Sequence, residues 1–206
     1  MNSQDWFVDE TGTCQPRPAA RTWDLLREHY YLHQFLTEIL DTIAKASNEL
    51  EEWDYLPQIR RKVRQLLINS YWVRTQHGSP DIPTGSHVFT LYDEIGYPLT
   101  IQNVTTKPGI KSSIHNHGTW GVVFQISGQE KHTFWRKINT PEESFRIEKV
   151  GEHILEPGEI ISFHPDAIHQ AETIGEENGL SFQLYGDTQP KSRFQFELET
   201  QTARRF

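Results

Sequence analysis

The spacing of apolar positions changes once along this chain. Between about Thr22 and Ser47, the positions Leu25, His29, Leu32, Leu36, Ile39 and Ile43 follow in steps of four and three, the spacing of one helix face. Pro57 suits a first helical turn. Ile59, Val63, Leu66 and Leu67 predict a second helix from there to about Ser70, with Arg60, Arg61, Lys62 and Arg64 on its other face. That basic run is expected to be a solvated helix face rather than an anion site. The stretch 76–86, with Gly78, Pro80, Pro83 and Gly85, ends the helical part.

Beyond it the pattern shortens to strand-like runs near 87–92, 97–105, 112–117, 120–127, 130–138, 145–150, 159–163, 167–174, 180–186 and 193–199. Pro108-Gly109, Ser127-Gly128, Pro157-Gly158 and Gly175 punctuate them. Short strands at near-regular spacing predict a sandwich or small barrel. Residues 1–21 show no period and are expected to form an irregular arm. The expected organisation is that arm, N-terminal helices over 22–75 packed on the barrel, and a β-barrel over 87–206, together one structural domain.

Composition narrows the function classes. At 206 residues the chain can bury a substantial core. A net charge of −8 argues against a nucleic-acid binder, which needs a basic face. No apolar run approaches the roughly 20 residues of a membrane helix, and Met1 to Trp6 lacks the features of a secretory signal. The single cysteine, Cys14, excludes an intrachain disulfide, and a cytoplasmic location is expected.

The chemistry concentrates in Ser113-Ile114-His115-Asn116-His117-Gly118-Thr119-Trp120-Gly121, answered 52 residues after His117 by His169. Side chains at i and i+2 of a strand share a face. A third imidazole from a facing strand would then close one side of a metal ion and leave its other positions open, as in catalytic sites. His164 competes with His169 for the third place, and the order of the motifs prefers His169. His29 and His33, one turn apart, lack the glutamate of a metalloprotease helix. His132 and His153 have no spacing argument and default to surface or core roles.

The order of these pieces resembles the two short motifs of the cupin superfamily. The Pro108-Gly109 turn precedes the histidine pair; the apolar strand 121–126 follows it and closes at Gly128; Pro157-Gly158-Glu159 opens a strand, and Pro165 precedes His169. The resemblance covers about residues 87 to 186. It implies a mainly β fold, a double-stranded β-helix (jelly-roll) barrel with the metal inside, preceded here by helices. Gly121 stands where standard cupins place a glutamate ligand. A further run, Ser181-Phe182-Gln183-Leu184-Tyr185, puts Ser181, Gln183 and Tyr185 on one strand face. With it the chain resembles the thiol dioxygenases, the cysteine dioxygenase-like family, and in His-x-His-Gly-Thr-Trp-Gly its uncharacterised bacterial members.

That resemblance implies Fe(II), with Ni, Mn or Zn as alternatives, on His115, His117 and His169. It implies a hydrogen-bond relay of Ser181, Gln183 and Tyr185, although the family has histidine where this chain has Gln183. An amide can bridge serine and phenol but cannot titrate near neutral pH. Val122 stands where some animal members carry a cysteine cross-linked to the tyrosine, so no thioether can form there. The carboxylate-binding arginine of cysteine dioxygenase has no counterpart on 87–92. Arg193, eight residues past Tyr185, is the candidate for that role, against the competing reading of an exposed strand-start arginine. Trp120 is a candidate wall of the substrate pocket.

The expected activity is oxidation of a small thiol, with or without a carboxylate, to a sulfinate by O2. Another cupin metalloenzyme reaction (dioxygenase, lyase or isomerase) and a non-catalytic small-molecule-binding cupin are the alternatives. No nucleic-acid or membrane partner is expected, and the chain is expected to be a monomer or homodimer.

Overall fold

The computed structural model describes residues 4–19, 29–46, 55–138 and 146–205. Short strands β1 (Asp5–Val8) and β2 (Cys14–Arg17) come first, then helices α1 (Leu32–Ala46), α2 (Leu56–Asn69) and α3 (Tyr71–Thr75). The β region follows with β3 (Ser86–Asp93), β4 (Thr100–Thr106), β5 (Ile114–His115), β6 (Gly121–Ser127) and β7 (Gln129–Lys137). It continues with β8 (Ile147–Leu155), β9 (Ile160–Phe163), β10 (Ile168–Ile174), β11 (Gly179–Tyr185), β12 (Phe194–Glu197) and β13 (Thr202–Arg205). Leu25 and the expected helix start near Thr22 lie outside the described residues.

The strands form two sheets, ordered β2-β1-β9-β6-β11-β4-β3 and β13-β12-β5-β10-β7-β8. Four antiparallel pairs organise them: β4 with β11, β5 with β10, β6 with β9, and β7 with β8. This is one long hairpin, turned between β7 and β8, rolled into a double-stranded β-helix. Full pairing leaves the inner surfaces of both sheets facing one enclosed space. The fold is therefore the expected mainly β cupin barrel with an N-terminal helical part.

The helices cover the outer face of the first sheet. Period two on β11 sends Phe182 and Leu184 toward them, where they share a core with Val122 and Phe124 of β6, Phe35 and Ile39 of α1, and Ile59, Val63 and Leu66 of α2. Phe35 meets Phe182 edge-on, ring centroids 6.4 Å apart. The buried face of α1 is Phe35, Ile39, Thr42 and Ala46, with Leu32, Leu36 and Ile43 only half-buried, so it lies one position round from the predicted stripe. Trp120 is buried in this same helix-side core, its ring T-shaped to Tyr55 at 5.9 Å.

Two expectations are corrected here. Residues 5–8 and 14–17 are strands, not an irregular arm: β1 pairs in parallel with β9 and β2 closes a hairpin on β1. The basic run on α2 is not uniformly solvated, because Arg60 and Arg64 are only 3% and 4% exposed. Both face the buried carboxylate of Asp5: Arg60 Nε lies 3.5 Å from Oδ2, and Arg64 pairs with Oδ1. Arg60 also donates to Ser162 Oγ at 2.9 Å, and Arg64 donates to the Gly158 carbonyl at 2.7 Å. One carboxylate and two guanidiniums thus tie β1, α2 and the β9 region together, while Arg61 is exposed.

Removing one member of a buried ion pair strands the other charge. Asp5→Asn is therefore expected to lower the unfolding free energy by about 3–5 kcal/mol, whereas Arg61→Gln changes it by less than about 1 kcal/mol. Urea denaturation of the two variants checks this; equal midpoints would mean that Asp5 does not carry the clamp.

Candidate metal centre

The local backbone explains the histidine cluster. β5 is only two residues long and sits between β10 and β12, with His115 opposite His169 on one side and Gln195 on the other. Asn116 between the histidines is buried; its amide nitrogen donates to the carbonyls of Pro165 (3.2 Å) and Ser192 (2.8 Å), and its oxygen accepts from Phe194 N–H (2.8 Å). It thereby fixes the turn before His169 and the segment bearing Arg193. Gly118 has φ of +62°, and a Cβ there would stand 2.9 Å from the Gln189 carbonyl oxygen, so both conformation and space require glycine. His117 lies beyond the strand's end, yet its ring stacks on that of His115 at 4.9 Å with 9° between planes.

Candidate ligand atoms of His115, His117 and His169 all lie within 4.8 Å of one another. His115 Nδ1 is 2.9 Å from the Ser113 carbonyl, which makes it the N–H and leaves Nε2 as the free lone pair. His117 Nε2 and His169 Nε2 are 2.8 Å apart. Two nitrogens about 2.1 Å from one ion and at right angles around it stand about 3 Å apart, so the spacing fits a shared cation. Burial pushes the His115 pKa down to about 4, partly opposed by the Ser113 carbonyl, with Arg193 and His132 lowering it further. Burial first, then the neighbouring histidines, hold His117 and His169 well below the ordinary range. Three neutral nitrogen donors result, a set that Fe, Mn, Ni and Zn all accept.

The cluster opens on a cavity of about 320 Å³ walled by Val88, Gln102, Val123, Glu130, His132, Gln183, Tyr185 and Arg193, among others. The chain of groups on β11 is continuous: Tyr185 O–H donates to Gln183 Oε1 at 2.8 Å, and Gln183 Nε2 donates to Ser181 Oγ at 3.1 Å. Gln102 Nε2 donates to the same Gln183 oxygen at 2.9 Å. The Tyr185 ring lies 4.7 Å from that of His117. Burial pushes the phenol pKa well above its ordinary value, Glu130 adds to this and Arg193 subtracts.

The structure brings together His115, His117, His169, Gln183, Tyr185 and Arg193 on one cavity, with Ser181 joined to it through Gln183. It does not bring Trp120 there, because alternation along β6 turns Val123 inward. Val122, like Trp120, packs among the helix-side apolar groups, and Gly121 is the residue opposite Tyr185. His164 lies away from the cluster, its Nδ1 accepting from Asp166 N–H at 3.0 Å. His29 precedes α1, and the Tyr31 ring, rather than His29, stacks on His33 at 5.6 Å. Glu130 and His132 are additional wall residues; their period-two spacing on β7 carried no message until β7 was known to pair with β10.

No protein-family profile and no curated relative matches the chain. Among solved structures, a sugar phosphate isomerase of the cupin superfamily from Silicibacter pomeroyi is 21% identical, with a TM-score of 0.39 over 52% of this chain and 61% of that one. KdgF from a Halomonas species is 16% identical, with a TM-score of 0.42 over 59% of this chain and 98% of that one. An oxalate oxidase is 15% identical, with a TM-score of 0.42 over 55% of this chain, which spans 56% of that protein. These overlaps say nothing about this chain's chemistry. Among the described residues, no helix is long and apolar enough to cross a membrane.

Neutral buried histidines make stability depend on pH. The unfolded chain protonates histidine near the ordinary value of 6.5, while folded His115 resists until about 4. Between these values the unfolded state binds more protons, so stability rises with pH. The melting temperature of metal-free protein is expected to be flat above pH 7 and to fall as pH drops from 6.5 toward 4. His115→Gln should flatten part of that slope. An unchanged slope would mean that His115 is not held neutral.

Proposed function

We propose that the chain is a metal-dependent enzyme that oxidises a small thiol to a sulfinate with O2. The supporting observation is the donor set: three neutral imidazoles with no carboxylate among them, facing a small cavity with a guanidinium on its wall. Such a set leaves a bound cation its full charge, which favours an anionic ligand such as a thiolate. Bound there, Fe(II) would seat the thiolate and supply the electron chemistry that O2 requires. Both oxygen atoms end on sulfur, so the thiolate and O2 balance to sulfinate without another reductant.

The side chains bind, orient and exclude water. Arg193 offers a planar fork to a substrate carboxylate. Ser181, Gln183 and Tyr185 form a fixed polar edge beside His117, and Val88 and Val123 give the cavity apolar walls. The volume of about 320 Å³ lies at the small end for ligand pockets, suiting a substrate of a few heavy atoms.

An oxygen-independent lyase or isomerase is the second reading, and one observation favours it. The Tyr185 proton points into Gln183 Oε1, which also accepts from Gln102, so the phenol presents lone pairs to the cavity. That polarity suits a substrate group that donates a hydrogen bond.

Oxygen uptake by protein loaded anaerobically with Fe(II) decides between them, using cysteine, 3-mercaptopropionate and cysteamine. Thiol-dependent uptake with one sulfinate formed per O2 is expected. Arg193→Ala should raise KM roughly 10- to 100-fold for the carboxylate-bearing thiols and not for cysteamine. Tyr185→Phe, which removes one hydrogen-bonding group from the polar edge, should keep the metal and lower kcat on the order of 10-fold. No uptake with any of the three by an iron-loaded sample would overturn the thiol reading.

A further inference from the structure

The fold's carboxylate ligand is missing from this centre, but a carboxylate reaches it two side chains further out. Glu130 and His132 occupy alternate positions of β7 and face inward, 7% and 1% exposed. Glu130 Oε1 lies 2.8 Å from His132 Nε2. On its other side, His132 Nδ1 lies 3.2 Å from Nδ1 of His169. The two imidazoles are parallel within 3°, and Phe163 lies against both, at 5.6 Å from His132 and 4.3 Å from His169. The registry is built in, because β7 and β10 pair Phe134 with His169 and His132 with Ala171.

We infer that Glu130 and His132 are positioning residues that set the tautomer of His169 and so aim its Nε2 lone pair at the metal. The inference rests on the three-histidine metal reading above. The His132 ring is turned off the line to the Glu130 oxygen, so no aligned hydrogen bond joins them. A lone pair 2.8 Å from a carboxylate would be repelled, and Nε2 is therefore the nitrogen that carries the hydrogen. A neutral imidazole has one N–H, which makes His132 Nδ1 an acceptor. Two facing nitrogens at 3.2 Å need one hydrogen between them, and it must therefore sit on His169 Nδ1. Nε2 of His169 is then a lone pair, as a ligand must be. His115 reaches the same tautomer through the Ser113 carbonyl. For His169 no backbone acceptor is needed, because the Glu130–His132 pair performs that task and also directs negative charge along the chain to the ligand.

The test is metal affinity together with tautomer. Competition against a chromogenic chelator gives the Kd for Zn(II) in wild type, Glu130→Gln, His132→Phe and His169→Ala. Loss of an outer partner typically weakens a site roughly 10- to 100-fold. Glu130→Gln, which keeps volume and removes charge, is expected near the lower figure, and His132→Phe near the upper. Long-range 1H–15N correlation spectra of the metal-free proteins should show His169 as the Nδ1–H form in wild type and as a mixture in His132→Phe. A purely structural role would not move that signature. If His132→Phe does not fold, Glu130→Gln alone still decides. Tight wild-type binding with unchanged affinity and tautomer in the variants overturns this inference and leaves the metal site standing. Equal, negligible binding by wild type and His169→Ala overturns both.

Discussion

Three imidazoles whose candidate donor atoms lie within 4.8 Å of one another crowd their lone pairs together, so the surrounding structure must hold them in place. The nitrogens 2.8 Å apart on His117 and His169 show how closely they are held. A two-residue strand pinned between β10 and β12 does most of this for His115. Asn116 ties its own backbone to the segments 165 and 192–194, and Gly118 turns the chain away before it can extend the strand. The residue between the two histidines thus couples the His115–His117 pair to the turn that presents His169.

The first sheet carries a second constraint, because it is covered on both faces. β11 alternates Ser181, Gln183 and Tyr185 toward the cavity with Phe182 and Leu184 toward the helices, so the polar edge of the site and the helix-side core share one strand. Movement of α1 or α2 would move that strand. The Asp5 carboxylate with Arg60 and Arg64 opposes such movement by joining the helix layer to β1 and β9. Its contribution is positional as much as energetic, because buried ion pairs gain little net stability and are costly to break.

Much of this was legible in the sequence. The clustering of His115, His117 and His169 follows from the period of strands and the order of turns, and the shared face of Ser181, Gln183 and Tyr185 from alternation along one strand. What was hidden involved partners distant along the chain. Arg60 and Arg64 read as solvated because the carboxylate that buries them lies 59 residues before Arg64. β1 is a four-residue strand whose parallel partner comes far later, so no local alternation marks it. Trp120 follows the histidine pair closely, yet local alternation sends it to the helices. His132 was invisible for the same reason: its meaning lies across a strand pairing, not along the strand.

Gly121 shows how these constraints determine the charge of the centre. A Cβ there would stand 3.1 Å from the Tyr185 ring and 3.2 Å from His117 Nδ1. A side chain at this position of β6 would therefore have to push the Tyr185 ring or the His117 ring aside by a few tenths of an ångström. The Tyr185 ring crowds the space beside Gly121, and the three-histidine group contains no carboxylate. On the proposed reading, the negative charge that a divalent ion requires must then come from elsewhere. Glu130 supplies some through His132 and His169, at a distance that leaves the open coordination positions untouched. On the same reading the substrate supplies the rest, and Arg193, adding positive charge to the same wall, favours an anion there.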